Sequence, residues 1–339
     1  MAEIKQPELE ELIEIREKRK KRETFYTHLK FLFIPGYIME DLSRRQFEYE
    51  KTISKRKFIR RLKVTLTIVG IIVIFVIISF AVFAPWISPY TLAETRGFYP
   101  NEHYPQQYPW EPPSPGHLLG TTKFGRDLLA VLIWGARYSL TMALPAICMA
   151  VIGGVVFGVL AGYFGGWVDS LIMRIMDIFL AFPGLILVLV FIAIWGPELR
   201  FFILAYGILG VAGYSRLTRG SVLQTRELPY VDAARVAGAG DARIMFKHLL
   251  PNCIQPIIIS LTFDIGGIIL SFAGLSFLGI SDPTLVEWGF YVVEARAQLF
   301  GGAPMAVFWP GFMIIMTLLG FMLVGDGLRD ALDPRLRNI

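Results

Sequence analysis

The side chains best suited to hold a metal or act as a nucleophile are few and scattered. His28, His103, His117 and His248 show no metal-ligand spacing, and the two cysteines, Cys148 and Cys253, both fall in apolar runs. Neither a zinc site nor a disulfide framework fits that pattern. No GxxxxGK[ST] loop occurs to cradle nucleotide phosphates, so the chain is not expected to hydrolyse ATP by itself. A membrane enzyme would need His, Asp, Glu or Ser converging on one site, and the sequence offers no such constellation. What is left is binding and mechanical coupling. Three features are candidates for it: a polar interruption at 228–252, the adjacent charges Arg126 and Asp127, and Asp264, a lone carboxylate inside an apolar run.

The 228–252 stretch reads LPYVDAARVAGAGDARIMFKHLLPN and separates two strongly apolar blocks. Asp232-Ala233-Ala234 begins a helical run, Gly238 and Gly240 break it, and Asp241 opens a second run that reaches Leu250-Pro251. Glycine tolerates the backbone conformation that closes the first helix. Asp241 puts a carboxylate at the electropositive start of the second, and Pro251 is expected to stop it. The pattern predicts helix, turn, helix, lying outside a bilayer. Ala233, Ala234, Ala237 and Gly238 would let a partner backbone approach closely, with Arg235, Arg243 and Lys247 as a charged rim. Taken alone, these residues also fit an ordinary basic loop.

The elements that must position these features are membrane spans. The chain is 54% hydrophobic over 339 residues, with a mean hydropathy of +0.54, too apolar for a soluble domain of this size. Uncharged runs at 64–84, 139–161 and 306–324 each meet the roughly 20 residues needed to cross the hydrocarbon core. A fourth run, 178–194, lengthens through Ile175 and Met176 and contains Pro183, which a helix bundle tolerates. A fifth, 201–213, spans only if 214–217 are included, and the sixth, 253–280, contains Asp264, which must face protein or water. The expected fold is an all-α polytopic membrane protein with six transmembrane helices. It divides into an N-terminal extension at 1–63, the first span and its external loop at 64–138, and the five-span core at 139–339.

Charge sets the expected orientation. With both termini cytoplasmic, 27 of the 33 Lys and Arg residues lie inside; Arg96, Lys123, Arg126, Arg137, Arg200 and Arg296 lie outside. The net charge of +5 is then a topology signal, not a nucleic-acid footprint. In the extension, 8–23 has helical Glu/Lys pairs, 29–39 is an apolar segment suited to the interface or to a partner, and 51–63 is basic enough to anchor on anionic lipid or simply to fix topology. No cleavable signal peptide is expected, because the first long apolar run begins too late and is too long. Asp177, three residues after Arg174, is expected to form an i, i+3 ion pair. The Tyr-, Pro- and Trp-rich stretch 85–137 is read either as a docking cap for an external protein or as a loop packed on a partner subunit. Arg126 and Asp127 could pair locally or guard an outer mouth.

The 232–252 segment resembles the EAA loop of ABC-importer permeases: Asp232-Ala233-Ala234, three residues, Gly238, then nine residues to His248-Leu249-Leu250-Pro251. Leu119-Gly120-Thr121, Gly125-Arg126-Asp127 and Gly135-Ala136-Arg137 resemble the external segment of the C-type permease of dipeptide and oligopeptide importers. Gly165-Gly166-Trp167, Ala181-Phe182-Pro183, 275–279 and 325–335 fit that subfamily too, so the likeness runs from about the first span to the C-terminus.

The resemblance implies a type I permease in a prokaryotic cell membrane, paired with a homologous second permease and served by an external substrate-binding protein. Two cytoplasmic ATPase subunits would bind ATP and Mg; this chain would bind neither. Asp232, Ala233, Ala234 and Gly238 would form the docking element, with Asp241, Arg243, His248 and Pro251 completing the coupling loop. Glycine would be required at 238 because a side chain there would push the two short helices apart. Cargo would be peptides, or, in the same architecture, oligosaccharides or nickel. The chain departs from the family pattern at Asp232 (usually Glu), Thr122 (commonly Asp), Phe272 (usually Glu) and Asp264 (normally apolar). Asp264 is read either as a structural pair with the second permease or as a contact for a polar or cationic cargo group. A secondary transporter would explain six spans and one intramembrane acid but not the EAA-type loop, and no inverted repeat is evident.

Overall fold

The first apolar run forms helix α1, Thr65–Ile87. A computed structural model describes residues 65–96, 109–280, 282 and 285–332; the readings made for 1–63 lie outside the described residues. After α1 come a short α2 (Leu92–Arg96), the long α3 (Leu128–Phe164), α4 (Gly166–Ala181), α5 (Gly184–Trp195) and α6 (Leu199–Arg226). The next elements are α7 (Pro229–Val236), α8 (Asp241–Arg243), a π-helical stretch (Ile244–Leu249) and α9 (Leu250–Phe277). A short α10 (Trp288–Ala295), a 3₁₀ turn (Arg296–Leu299) and α11 (Met305–Leu332) complete the order. Among the described residues five helices are long and apolar enough to cross a membrane: α1, α3, α6, the continuous 241–277 helix and α11. A sixth span is obtained if the bent pair α4 and α5 is counted as one.

That pair corrects one expectation. Pro183 does not sit inside a continuous helix; it separates α4 from α5, whose axes differ by 85°. Phe182, the residue before it, is extended at φ −92°, ψ 139°, as expected where the proline ring disfavours the helical conformation of its predecessor. Pro251 is the second correction. It does not stop the helix that Asp241 opens, because that helix passes through the π-helical stretch directly into α9. Leu250 N–H bonds to Met245 O, one residue further back than in an α-helix. The widened turn accommodates a proline that has no N–H to give and whose ring would crowd a tighter one.

Helices in lipid gain little from hydrophobic burial against one another, so packing rests on close backbone approach. Among the described residues the α3–α6 pair is the most extensive helix contact. Gly154, Gly158 and Gly162 of α3 face Tyr214, Ser215, Thr218 and Val222 of α6, and a Cβ at Gly158 would lie 2.6 Å from the Ser215 carbonyl oxygen. The polar end of α6 is tied to α4. Arg219 Nε and Nη2 donate to the two oxygens of Asp169 at 2.5 and 2.6 Å, and Arg216 donates to Asp177 at 2.5 Å. Asp177 therefore pairs across helices, not with Arg174 three residues earlier. These pairs also explain why α6 extends well past its apolar run.

Candidate coupling surface and membrane cavity

Helix α7 begins with Pro229 in its first turn, where the missing N–H costs nothing. It ends in a paired-bond cap: Ala239 N–H reaches Ala234 O at 3.0 Å and Gly238 N–H reaches Arg235 O at 3.0 Å, with Gly238 left-handed at φ +81°. A Cβ on Gly238 would meet nothing within 4 Å. The glycine is thus required by backbone conformation and not, as expected, to keep two helices from being pushed apart. Gly240, at φ −70°, carries no such constraint.

The inner side of this turn is apolar. Val231, Ile244, Met245 and Leu249 pack with Val159, Val222 and Cys253 on the ends of α3, α6 and α9. Polar ties fix its register: Tyr163 O–H donates to Asp241 Oδ1 at 2.6 Å, Tyr230 O–H to His248 O at 3.3 Å, and Asn252 Nδ2 to His248 O at 2.7 Å. The outer side is different. Asp232, Ala233, Gly238, Asp241 and Arg243 are exposed, with Asp232 and Arg235 paired at 3.2 Å. Val236 is 90% exposed and Phe246 58% exposed. The structure therefore gathers Asp232, Ala233, Ala234, Gly238, Asp241, Arg243 and His248 at one end of the bundle. Pro251 sits just beyond them, inside the continuing helix.

Asp264 lies elsewhere, midway along α9. Its Oδ2 accepts a 2.6 Å hydrogen bond from Tyr214 of α6. Both residues line a cavity of about 610 Å³ between α3, α6 and α9, together with Ile147, Leu209 and Ile268 on the apolar side and Ser260 and Ser271 on the polar side. A partner for Asp264 thus exists within its own chain. Tyr214, Ser260 and Ser271 were not singled out in the sequence; the available signal was the i, i+4, i+7, i+11 stripe Ser260, Asp264, Gly267, Ser271 along one face of an apolar helix.

The third cluster closes the opposite end of α3. Asp127 caps the helix, its Oδ1 accepting from Ala130 N–H at 2.7 Å while Oδ2 lies 3.0 Å from His117 Nδ1. Thr121 bridges to Asp127 in antiparallel fashion and receives Glu111 N–H on its hydroxyl at 2.8 Å. Gly120 and Gly125 turn the chain at positive φ. Arg126, 2% exposed, donates to Tyr291 O–H at 2.7 Å and to Arg96 O at 3.1 Å. The two neighbours thus serve different partners. On α10, Glu287 caps the helix through Gly289 and Phe290 N–H. Burial pushes the Glu287 and Glu294 carboxyls up to about 7 and the Tyr291 hydroxyl up to about 12.

Comparison with known proteins assigns the family. The model described as "Binding-protein-dependent transport system inner membrane component" matches residues 154–338, and "N-terminal TM domain of oligopeptide transport permease C" matches 56–113. The chain belongs to the binding-protein-dependent transport permeases. A dipeptide transport system permease protein DppC of Alkalihalophilus pseudofirmus is 41% identical to this permease, covering 80% of its chain and 87% of the relative. A di/tripeptide permease DppC of Pseudomonas aeruginosa is also 41% identical, over 79% of the chain and 88% of the relative. A glutathione permease GsiD of Pectobacterium atrosepticum is 36% identical, over 84% and 92%. In this permease the main family match takes in 228–252, the Asp264 cavity wall on α9, and α10, while the 120–127 cluster lies between the two matched segments.

Proposed function

We propose that this permease is the membrane-spanning subunit of an ATP-driven peptide importer. It would form the translocation path with a homologous second permease, receive cargo from an external binding protein, and couple to two cytoplasmic ATPase subunits through 228–252. The observation that carries the reading is the exposed outer side of α7 and its glycine cap, rigidly seated on α3, α6 and α9, in a chain whose relatives are named for dipeptide, tripeptide and glutathione transport. ATP and Mg belong to the ATPase subunits on this reading, and this chain contributes no catalytic group. Among the described residues no cluster of His, Cys, Asp or Glu is arranged to hold a metal ion.

The orientation follows the charge asymmetry, with both termini and 228–252 cytoplasmic and the 120–127 cluster external. The test is reconstitution of the two permeases and ATPases in liposomes with the cognate binding protein. Peptide-dependent ATP hydrolysis and peptide accumulation are expected. Uptake that proceeds without ATP, or a purified permease that never retains an ATPase subunit, would overturn the proposal.

A further inference from the structure

The membrane cavity holds one charged side chain and nothing of opposite sign. Among the residues that line it, Asp264 is the sole ionisable acid or base of the Asp, Glu, Lys, Arg, His set, and its carboxylate is exposed to the open space although it lies mid-helix. One oxygen is held by Tyr214, whose side chain is only 4% exposed, so the donor is fixed and the carboxylate is aimed. Its other oxygen makes no hydrogen bond among the described residues.

Around it the walls divide by chemistry. Ile147, Leu209, Leu217 and Ile268 are apolar and keep the local dielectric low, which strengthens attraction to any cation that enters. Ser260 and Ser271 place hydroxyls on the same face of α9 as Asp264, and Gly213 of α6 borders open space, where a Cβ would meet nothing within 4 Å. An ammonium group has three donors to satisfy, which suits a free carboxylate oxygen and nearby hydroxyls. A transition-metal ion would call for imidazole or thiolate, and neither lines the cavity. The volume, about 610 Å³, lies within the ~300–1,000 Å³ usual for pockets that take a small organic ligand.

We infer that Asp264, positioned by Tyr214, binds the cationic amino group of the cargo in transit, so that the permease favours ligands with a free ammonium group over N-blocked ones. The inference rests on the importer reading and makes Asp264 a determinant of specificity within it.

The experiment uses the full reconstituted importer with saturating loaded binding protein. It compares uptake of alanyl-alanine with that of N-acetyl-alanyl-alanine by wild type and by Asp264→Asn, Asp264→Glu and Tyr214→Phe. Because the binding protein is unchanged, its own preference cancels in each variant-to-wild-type ratio. Asp264→Asn is expected to lower free-amine uptake at least tenfold while changing acetylated uptake less than twofold. Asp264→Glu should keep the discrimination, and Tyr214→Phe should weaken it partly. Equal loss for both cargoes, with loss of the second permease from the purified complex, would assign Asp264 to subunit pairing and overturn the inference. Unchanged uptake of both would overturn it equally. Absence of any ATP-driven uptake by wild type would instead remove the importer reading on which it stands.

Discussion

The two ends of α3 are each closed by a glycine-bearing turn and an aspartate, yet they dispose of their polar groups in opposite ways. At the 120–127 end, Asp127 and Arg126 are 1% and 2% exposed, and both are bonded within the chain, to the helix start, His117, Tyr291 and the Arg96 carbonyl. At the 228–252 end, Asp232, Arg235, Asp241 and Arg243 lie open, and Val236 and Phe246 project apolar surface outward. The first end is completed by its own sequence. The second is seated on its inner side and open on its outer side, which on the proposed reading is where an ATPase subunit docks.

The sharpest way to break this contrast is Gly238→Leu. A side chain at φ +81° costs about 1–2 kcal/mol of backbone strain, enough to unwind a short surface cap. ATP-coupled uptake is expected to vanish while the protein still inserts and unfolds at the wild-type temperature. Gly238→Asn should retain much of the activity, because asparagine tolerates the left-handed conformation. Full transport by the leucine variant would remove 228–252 from the coupling role.

Next in size is Arg126→Met, which strands the Tyr291 hydroxyl and the Arg96 carbonyl in a buried site. A loss of about 2–3 kcal/mol is expected, read as a lowered thermal unfolding midpoint in detergent. Tyr291→Phe should cost about 1 kcal/mol. A neutral Arg126→Met would mean that the 120–127 end is not self-supporting.

Replacing Val236 and Phe246 by serine should reduce recovery of the ATPase subunits on purification several-fold without altering thermal stability, since both side chains are already in the open. A drop in stability instead would make them core.

A smaller effect concerns pH. In the folded chain Glu287 and Glu294 keep their protons up to about 7, whereas the ordinary carboxyl releases its own near 4.5. The folded state therefore binds more protons between those limits, and stability falls as pH rises through that window. Wild type should unfold at a higher temperature at pH 5 than at pH 8, and Glu287→Gln, which cannot ionise, should flatten part of that slope. The smallest effect is expected at Gly240→Ala, at an ordinary φ of −70° and in open space, where uptake should stay within about twofold.

Much of the fold was legible in the apolar runs, because length and absence of charge are sufficient to mark a membrane helix. The extension of α6 to Arg226 was not, since Arg216 and Arg219 look like loop residues until Asp177 and Asp169 are seen beside them. Cross-helix partners leave no trace in local spacing, which is also why Arg174 was the wrong partner for Asp177. Pro183, expected to ride within a span, and Pro251, expected to stop a helix, exchanged outcomes. One breaks a helix and the other rides within one, because only the second follows a widened turn. At 228–252 the helix–turn–helix pattern was legible but the physical reason for Gly238 was not: conformation is a property of φ, and crowding had to be excluded in space. The cavity was legible only at Asp264. Tyr214 lies in a run where Leu209, Gly210, Gly213 and Leu217 also line the cavity but carry no polar group to mark that face.

The π-helical stretch has a mechanical consequence. Because Asp241 and Asp264 belong to one uninterrupted helical rod, they are separated by ~35 Å at 1.5 Å per residue, and a swing of ~5° about the Asp241 end would carry the carboxylate through ~3 Å. A displacement of that size is the difference between a hydrogen bond made and one lost. The six wide residues Ile244–Leu249 are where the pitch of this rod changes, and hence where bending strain would collect. On the proposed reading, an angular push at the surface arrives at the cargo's charge as a change in grip.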